Sequence, residues 1–392
     1  MYLLLLTIIL IVLIIVVAVV SNPSTLNSNE IDVSPIKGDT ITVHLSELRQ
    51  YLNDTTISIP IAPDGVYEDS LVSRGIQITD ISRTVCQNKP SNDDASLGLY
   101  NMSILKQPDG YSGIIRGSTW NGCCEHNTPP SFSYAYYINL DDNGTVRNLD
   151  KVNLPYDTFD HCTKHVGDVY ANGIEDPRVF LFKGEEWVIG NALGLPQQEY
   201  PCVNMMCIFK VSDPITTFRL LTPPHGVSLL QRQKNWSPFE YEGELYCEYS
   251  IEPHSILKID LATGLTTEAW ITGSPANDIT SETSLRGGAP PILITNPQCK
   301  GKSTLPEKFY LGVGHTRTRT TSNYLHFFYV FEAAPPFNIL RVTPRFKLDG
   351  NERIQFAAGL SADDTMIYIS YGVDDCYNRI SRFYITDILH LL

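Results

Sequence analysis

A brief apolar strand, a turn carrying Gly or Asp and a second apolar strand recur five times along this chain, over residues 101–116, 176–190, 235–250, 288–315 and 354–372. A hairpin unit cannot bury its own apolar face, so repeats at a spacing of about 40–60 residues must stack on one another. Laid down radially, five such units predict an all-β fold, a five-bladed β-propeller. In such a ring the innermost strands converge, and polar residues on them face a shared channel. The spacing of the repeat therefore says where chemistry can be assembled.

The 392 residues are 43% hydrophobic, enough for an ample core. A formal net charge of −14 excludes a nucleic-acid partner, which would need a basic stripe. No Gly-rich phosphate loop opens a helix, so a nucleotide-binding Rossmann or P-loop domain is not expected.

Residues 2–20 form an unbroken apolar run, long enough to cross a bilayer as a helix. Its length, and the lack of a small-x-small site after it, favour a signal-anchor over a cleaved signal peptide. The expected layout is a transmembrane helix over 2–20, a stalk and lead-in over 21–96, and the propeller over 97–392. The propeller would then face the lumenal or extracellular side of the secretory route. Four glycosylation triplets begin at Asn53, Asn101, Asn143 and Asn235, the last weakened by Pro238. The nine cysteines match no zinc spacing and read as disulfides of an oxidising compartment, with Cys202 and Cys207 forming one close group. No metal and no cofactor is demanded. In the lead-in, 44–52 has helical spacing, and either 55–62 or 75–85 could supply a strand that closes the ring against the last blade.

Three polar clusters flank first strands of the repeats. In 173–180, Asp176 and Arg178 stand two apart, which on a regular strand points both to one face. An Arg fork suits phosphate or carboxylate oxygens, although an internal salt bridge would explain the pair equally well. In the second cluster Lys234 and Asn235 precede Trp236, and His254 returns on the next hairpin strand. The third is Asp374-Asp375 at a strand end. Arg286 and the pair His315 and Arg317 add basic residues in the fourth repeat.

Together these fragments resemble the five-bladed propeller superfamily of glycoside-active enzymes, closest to the β-mannoside phosphorylases and β-1,2-mannosyltransferases. The resemblance rests on Glu175-Asp-Pro-Arg178, on Lys234-Asn235 with 236–239, on 371–375, and on Arg116 closing a strand that begins at Asn101. It covers about residues 97–380. It implies that Arg116, Arg178 and Lys234, assisted by Asn235, hold phosphate or another anion, and that Asp176 with Asp374 or Asp375 binds sugar hydroxyls. His254 and His315 join this binding set. It also implies one Asp as general acid in an inverting displacement, and Asp157, Asp160 and Asp168 all lie in the right interval. Breaking a glycosidic bond passes through an oxocarbenium-like state, which needs an acid at the leaving oxygen. If water were the nucleophile, Asp374, Asp375 or Glu240 could act as base.

The function expected is a membrane-anchored glycosyltransferase, mannosyltransferase-like, with a glycan or oligosaccharide acceptor and a sugar-phosphate, nucleotide-sugar or phosphate partner. An inverting hydrolase or phosphorylase is the alternative within the class, and a non-catalytic glycan-binding propeller the alternative outside it.

Overall fold

The computed structural model describes residues 30–33, 41–44, 79–80, 97–120, 122, 131–156, 171–193, 204–228, 231–273, 285–297, 305–317, 324–348 and 354–392. The chain divides into two compact units, Met1–Ser58 and Ile59–Leu392. In the first unit β1 (Glu30–Val33) pairs antiparallel with β2 (Ile41–His44). The apolar run 2–20 lies outside the described residues, as do 45–52 of the expected helix, while His44 ends β2. Among the described residues no helix is long and apolar enough to cross a membrane.

The described residues of the second unit are all-β apart from α1 (Pro214–Thr217) and α2 (Ile385–Leu391). Its described strands form five antiparallel meanders. The first is β4 (Gly98–Gln107), β5 (Gly110–Ser118), β6 (Ser131–Leu140) and β7 (Val146–Lys151). The second is β8 (Ala171–Phe182), β9 (Glu185–Leu193), β10 (Asn204–Lys210) and β11 (Arg219–Leu220). A three-residue parallel contact between β6 and β8 joins these two into one sheet. The third runs β12 (Ser237–Tyr241), β13 (Glu244–Ser250), β14 (His254–Ile259) and β15 (Thr266–Thr272). In the fourth, β16 (Leu285–Arg286) and β17 (Ile292–Thr295) both pair β18 (Lys308–Arg317), followed by β19 (Tyr324–Glu332) and β20 (Ile339–Val342). The fifth is β21 (Gln355–Ala362), β22 (Met366–Val373) and β23 (Tyr377–Tyr384), completed by β3 (Thr79–Asp80). Of the two lead-in candidates for the closing strand, the second therefore supplies it.

Local chemistry explains the hairpins. Two tight turns use the same device, Lys183-Gly184 and Glu242-Gly243, with all four residues at positive φ. That backbone matches the twist of two-residue hairpins, and Gly at the second position carries no Cβ penalty. Inner strands are buried on both faces, as in β5, whereas the outer strand β7 is mostly exposed.

Between neighbouring meanders the inner faces meet in separate apolar clusters. Ile174 and Val188 join Ile114 and Leu105 between the first two, and Trp236 and Leu257 meet Ile189 and Phe180 between the next two. Phe239, Tyr246 and Phe337 form an aromatic cluster between the third and fourth, and Phe328 packs with Ile369 and Phe383 beyond it. Ile104, Met102 and Tyr111 of the first meander pack with Tyr368 and Ile380 of the last, so the series closes on itself. Polar bonds reinforce that closure: Met102 N donates to Asn378 Oδ1 at 3.0 Å and Ile104 N to Ser370 Oγ at 3.1 Å.

Candidate functional site

The closed series brings the starts of the first strands together around a cavity of about 360 Å³. It is lined by Asn101, Glu175, Asp176, Lys234, Asn235 and Arg286 from strand starts, with Arg116, His315, Arg317 and Asp375 reaching in from other strands and turns. Trp120, Tyr324 and Phe356 give it aromatic wall. The volume falls in the range of small-molecule sites.

Backbone strain concentrates here. Among the described non-glycine residues at positive φ, Asn101 (φ 54), Asp176 (φ 48), Asn235 (φ 62) and Asp375 (φ 52) all line this cavity. Left-handed backbone costs a non-glycine residue free energy and persists where surroundings enforce it, commonly at functional sites. Register shifts lie at the same positions, between Tyr100 and Ser103 and between Glu175 and Arg178. Each bulge turns a polar side chain toward the cavity that regular alternation would send elsewhere. Gly372 is needed for the same packing, because a Cβ there would lie 1.8 Å from Asn101 Oδ1.

Arg116 is the hub. Buried on β5, it lies over the Tyr100 ring at 4.9 Å and donates through Nε to Ser133 Oγ at 2.8 Å. Its guanidinium reaches Asp176 Oδ1 at 3.4 Å and Glu175 Oε1 at 3.7 Å. Lys234, still partly exposed, meets Glu175 Oε2 at 3.2 Å, and Asn101 Nδ2 donates to Asp176 Oδ1 at 2.8 Å. Burial works to raise the Asp176 carboxyl, but Arg116, Lys234 and Asn101 outweigh it and hold it below the usual range. Asp375 is displaced the other way. Its burial, with Asp176 and Glu175 nearby, raises it against the pull of Arg116. His315 lines the cavity with its ring stacked on Tyr324 at 4.9 Å, and its Nδ1 has no partner. Burial, His326 and the neighbouring arginines keep it neutral.

Several expected site residues are elsewhere. Arg178 does not line the cavity, because the bulge before it breaks the alternation that would have paired it with Asp176. It is buried, and Nη1 donates to the Gly288 carbonyl. Burial pulls its guanidinium down to about 10. Val179 to Leu181, which follow it on β8, together with Pro238 to Glu242 and Pro290 to Leu293, line a second, more apolar cavity of about 640 Å³. Arg178 is thus a packing element between two cavities. Arg178→Met keeps the volume and is expected to leave turnover nearly unchanged, with a stability change within about 1–2 kcal/mol. Loss of activity in a folded Arg178→Met protein would return it to the site.

His254 is also a correction. It is fully buried between Glu248 Oε1 and the Phe337 carbonyl, each at 2.8 Å, and Tyr329 OH donates to Glu248 at 2.8 Å. It ties two meanders together. Asp374 braces the turn through Ile354 N at 2.9 Å, and Glu240 accepts from Lys183 N beside the second cavity, away from this site. Asp157, Asp160 and Asp168 lie outside the described residues. The triplet at Asn101 is buried in the site and its amide is bonded to Asp176, so that residue is no glycan acceptor. Cys207 is a free, buried thiol and does not pair with Cys202, whereas Cys376 is disulfide-bonded. Among the described residues no cluster of three His, Cys, Asp or Glu is placed to hold a metal.

Arg286 and Arg317 carry more of the site than their short sequence contexts suggested. Tyr324 and Phe356 gave no signal, since an aromatic in a strand is ordinarily core, and neither did Trp120, which follows β5.

No protein-family model and no curated protein matches this chain. Solved structures do. A glycosyl hydrolase from Bacteroides ovatus is 14% identical over 84% of this chain and 98% of its own, with a TM-score of 0.51. A structure from the GH130 family of mannoside phosphorylases, which contains glycoside hydrolases that target β-1,2-mannosidic linkages in Candida mannan, is 12% identical over 84% and 97%, with a TM-score of 0.53. β-1,2-Mannobiose phosphorylase from Listeria innocua, in complex with β-1,2-mannobiose, is 13% identical over 80% and 99%, with a TM-score of 0.50. The chain has the fold of the glycoside-active propeller enzymes, mannoside phosphorylases among them.

Proposed function

We propose that this chain is a five-bladed propeller enzyme that makes or breaks a glycosidic bond with inversion, using an anionic reactant held in the cavity. The observation that carries this reading is the cavity's divided wall. Glu175, Asp176 and Asp375 offer carboxyl groups for sugar hydroxyls, while Arg116, Lys234, Arg286 and Arg317 bring four cations to the same space. Cations positioned before the reactant binds stabilise charge without reorganising. Trp120 and Tyr324 offer ring faces to the apolar side of a sugar. The anion is inorganic phosphate or the phosphate of a sugar donor. Transfer to a glycan is the direction we favour, because the apolar run 2–20 and the segment after it fit an anchored glycan-building enzyme.

The test is a product analysis with purified protein. β-1,2-Mannobiose plus phosphate should yield a sugar 1-phosphate, or a sugar 1-phosphate plus acceptor should yield a lengthened glycan. Free sugar formed without any dependence on phosphate or sugar phosphate would remove the anion from the mechanism. Lys234→Ala should raise the concentration of anion needed for half-maximal rate by about 10- to 100-fold, at a nearly unchanged unfolding midpoint. An unaltered anion dependence would place Lys234 outside the binding set.

A further inference from the structure

Four triplets mark asparagines as acceptors for an N-linked glycan, and the fold treats them differently. Asn101 is buried at φ 54 and gives its amide to Asp176. Asn235 lines the carboxylate and arginine cavity at φ 62, and Ser237, the hydroxyl residue of its triplet, is fully buried on the Gly288 carbonyl. A glycan on either side chain occupies that cavity, and at Asn101 it also displaces the bond to Asp176. Asn53 lies outside the described residues.

Asn143 differs in each respect. It is exposed, as is Thr145, on the turn between β6 and β7. Asp141 organises that turn. Its Oδ1 accepts from Asn143 N at 2.9 Å and from Thr145 N at 2.8 Å, and its backbone exchanges bonds of 2.9 Å with Gly144 N and the Thr145 carbonyl. Gly144, at φ 83, supplies the left-handed step. Among the described residues the Asn143 amide takes no part in this network, so a sugar on Nδ2 breaks no bond of the fold. Ion pairs of Lys106 with Asp142 at 3.0 Å and of Arg147 with Asp109 at 2.7 Å hold the turn beside the β4–β5 hairpin. That is the far end of the first meander: β6 runs from Ser133, which holds Arg116, to Leu140 beside the turn, roughly 24 Å at about 3.4 Å per residue. Lys106 also lines the apolar cavity, so the turn stands at that end of the ring.

We propose that Asn143 is an N-glycosylation site, occupied in the folded protein, and that Asn101 and Asn235 stay bare. The donor is a lipid diphosphate-linked oligosaccharide of the secretory lumen. Asn143 Nδ2 forms the new bond to C1 of the donor sugar, and the bond from C1 to the diphosphate oxygen breaks. The lipid diphosphate leaves with the electron pair, and the amide releases one proton. An oxidising compartment is where the Cys376 disulfide forms, so the same lumen serves both modifications. Transfer meets the chain as it enters, before the ring closes, and the fold then decides which modified chains survive. A bulky, solvated glycan on Asn143 stays in water away from the carboxylate and arginine cavity, whereas one on Asn101 or Asn235 stops that cavity from closing.

Peptide mass spectrometry on the full chain, expressed in a eukaryotic secretory host and purified as folded protein, tests this. Enzymatic release of N-glycans in heavy-oxygen water leaves a labelled aspartate at each former acceptor. The label should appear at Asn143 and be missing at Asn101 and Asn235. Asn143→Gln should remove the mass of one glycan from the intact protein and leave its thermal unfolding midpoint within a few degrees of the wild type, since the side chain carries no bond of the turn. An unlabelled Asn143 in folded protein whose Cys376 disulfide has formed overturns the proposal. Label at Asn101 or Asn235 in folded protein overturns the selection by the fold. A chain with Cys376 reduced and no glycan at any triplet overturns the compartment, and the proposal with it.

Discussion

Arg116→Ala is expected to abolish turnover and to lower stability by about 3–5 kcal/mol, the usual cost of removing one partner from a buried ion pair. Arg116 is 8% exposed, and its guanidinium satisfies Ser133, Asp176 and Glu175 together. Without it Asp176 keeps the hydrogen bond from Asn101 and Glu175 keeps Lys234 and Asn204, so three carboxyl groups share one contacting cation and the wall of the cavity carries excess negative charge. Chemical denaturation reports the stability loss, and the turnover assay at a temperature where the variant stays folded reports the catalytic loss. A variant of wild-type stability would mean that Arg116 is not the hub described. Arg116→Lys should recover little, because an ammonium cannot reach both carboxylates and Ser133 in one plane.

Acid should destabilise the fold well above the range in which carboxylates titrate. Burial pushes the His326 imidazole down to about 3, and His315 is displaced in the same direction. In the unfolded chain both take a proton near pH 6.5. Between those values the unfolded state binds protons that the folded state refuses, so stability is full above the unfolded value and falls as pH drops toward the folded one. For His326 alone the loss from pH 7 to pH 5 is roughly 2 kcal/mol. Asp375, displaced upward, acts in the opposite sense, because its folded form gains a proton earlier than the unfolded chain does. Unfolding midpoints measured across pH 5–7 should fall with acid, and His326→Gln should flatten that slope. An unchanged slope in the variant would assign the acid sensitivity to other groups.

The hairpin repeat was legible because each inner strand is a short apolar run with its own turn residues. Lys183-Gly184 and Glu242-Gly243 mark two of those turns without any tertiary information. Residues that converge on the cavity were legible where they cluster in sequence: Glu175 with Asp176, Lys234 with Asn235, and Asp375. The errors share one physical origin. Strand alternation placed Arg178 beside Asp176, but a bulge and a left-handed residue reset the alternation between them. Nothing in a local pattern announces such a bulge. His254 was misplaced because its partner Glu248 looks like an outward strand residue, although pairing at a bulged stretch of β13 and β14 buries both. The aromatic wall was invisible, since Tyr324 reaches the cavity only through the pairing of β18 with β19. In sequence Asn101 reads as the start of a strand and of a glycosylation triplet, yet in the fold its amide holds the Asp176 carboxylate.

The most direct test of the whole account is a crystal structure of the protein grown with a sugar 1-phosphate. The phosphate should lie within hydrogen-bond distance of Lys234 and at least one of Arg286 and Arg317, with the sugar ring between Asp176, Asp375 and Tyr324. A ligand found instead in the apolar cavity beyond Arg178, or on the outer strands, with the carboxylate and arginine cavity empty, would contradict it.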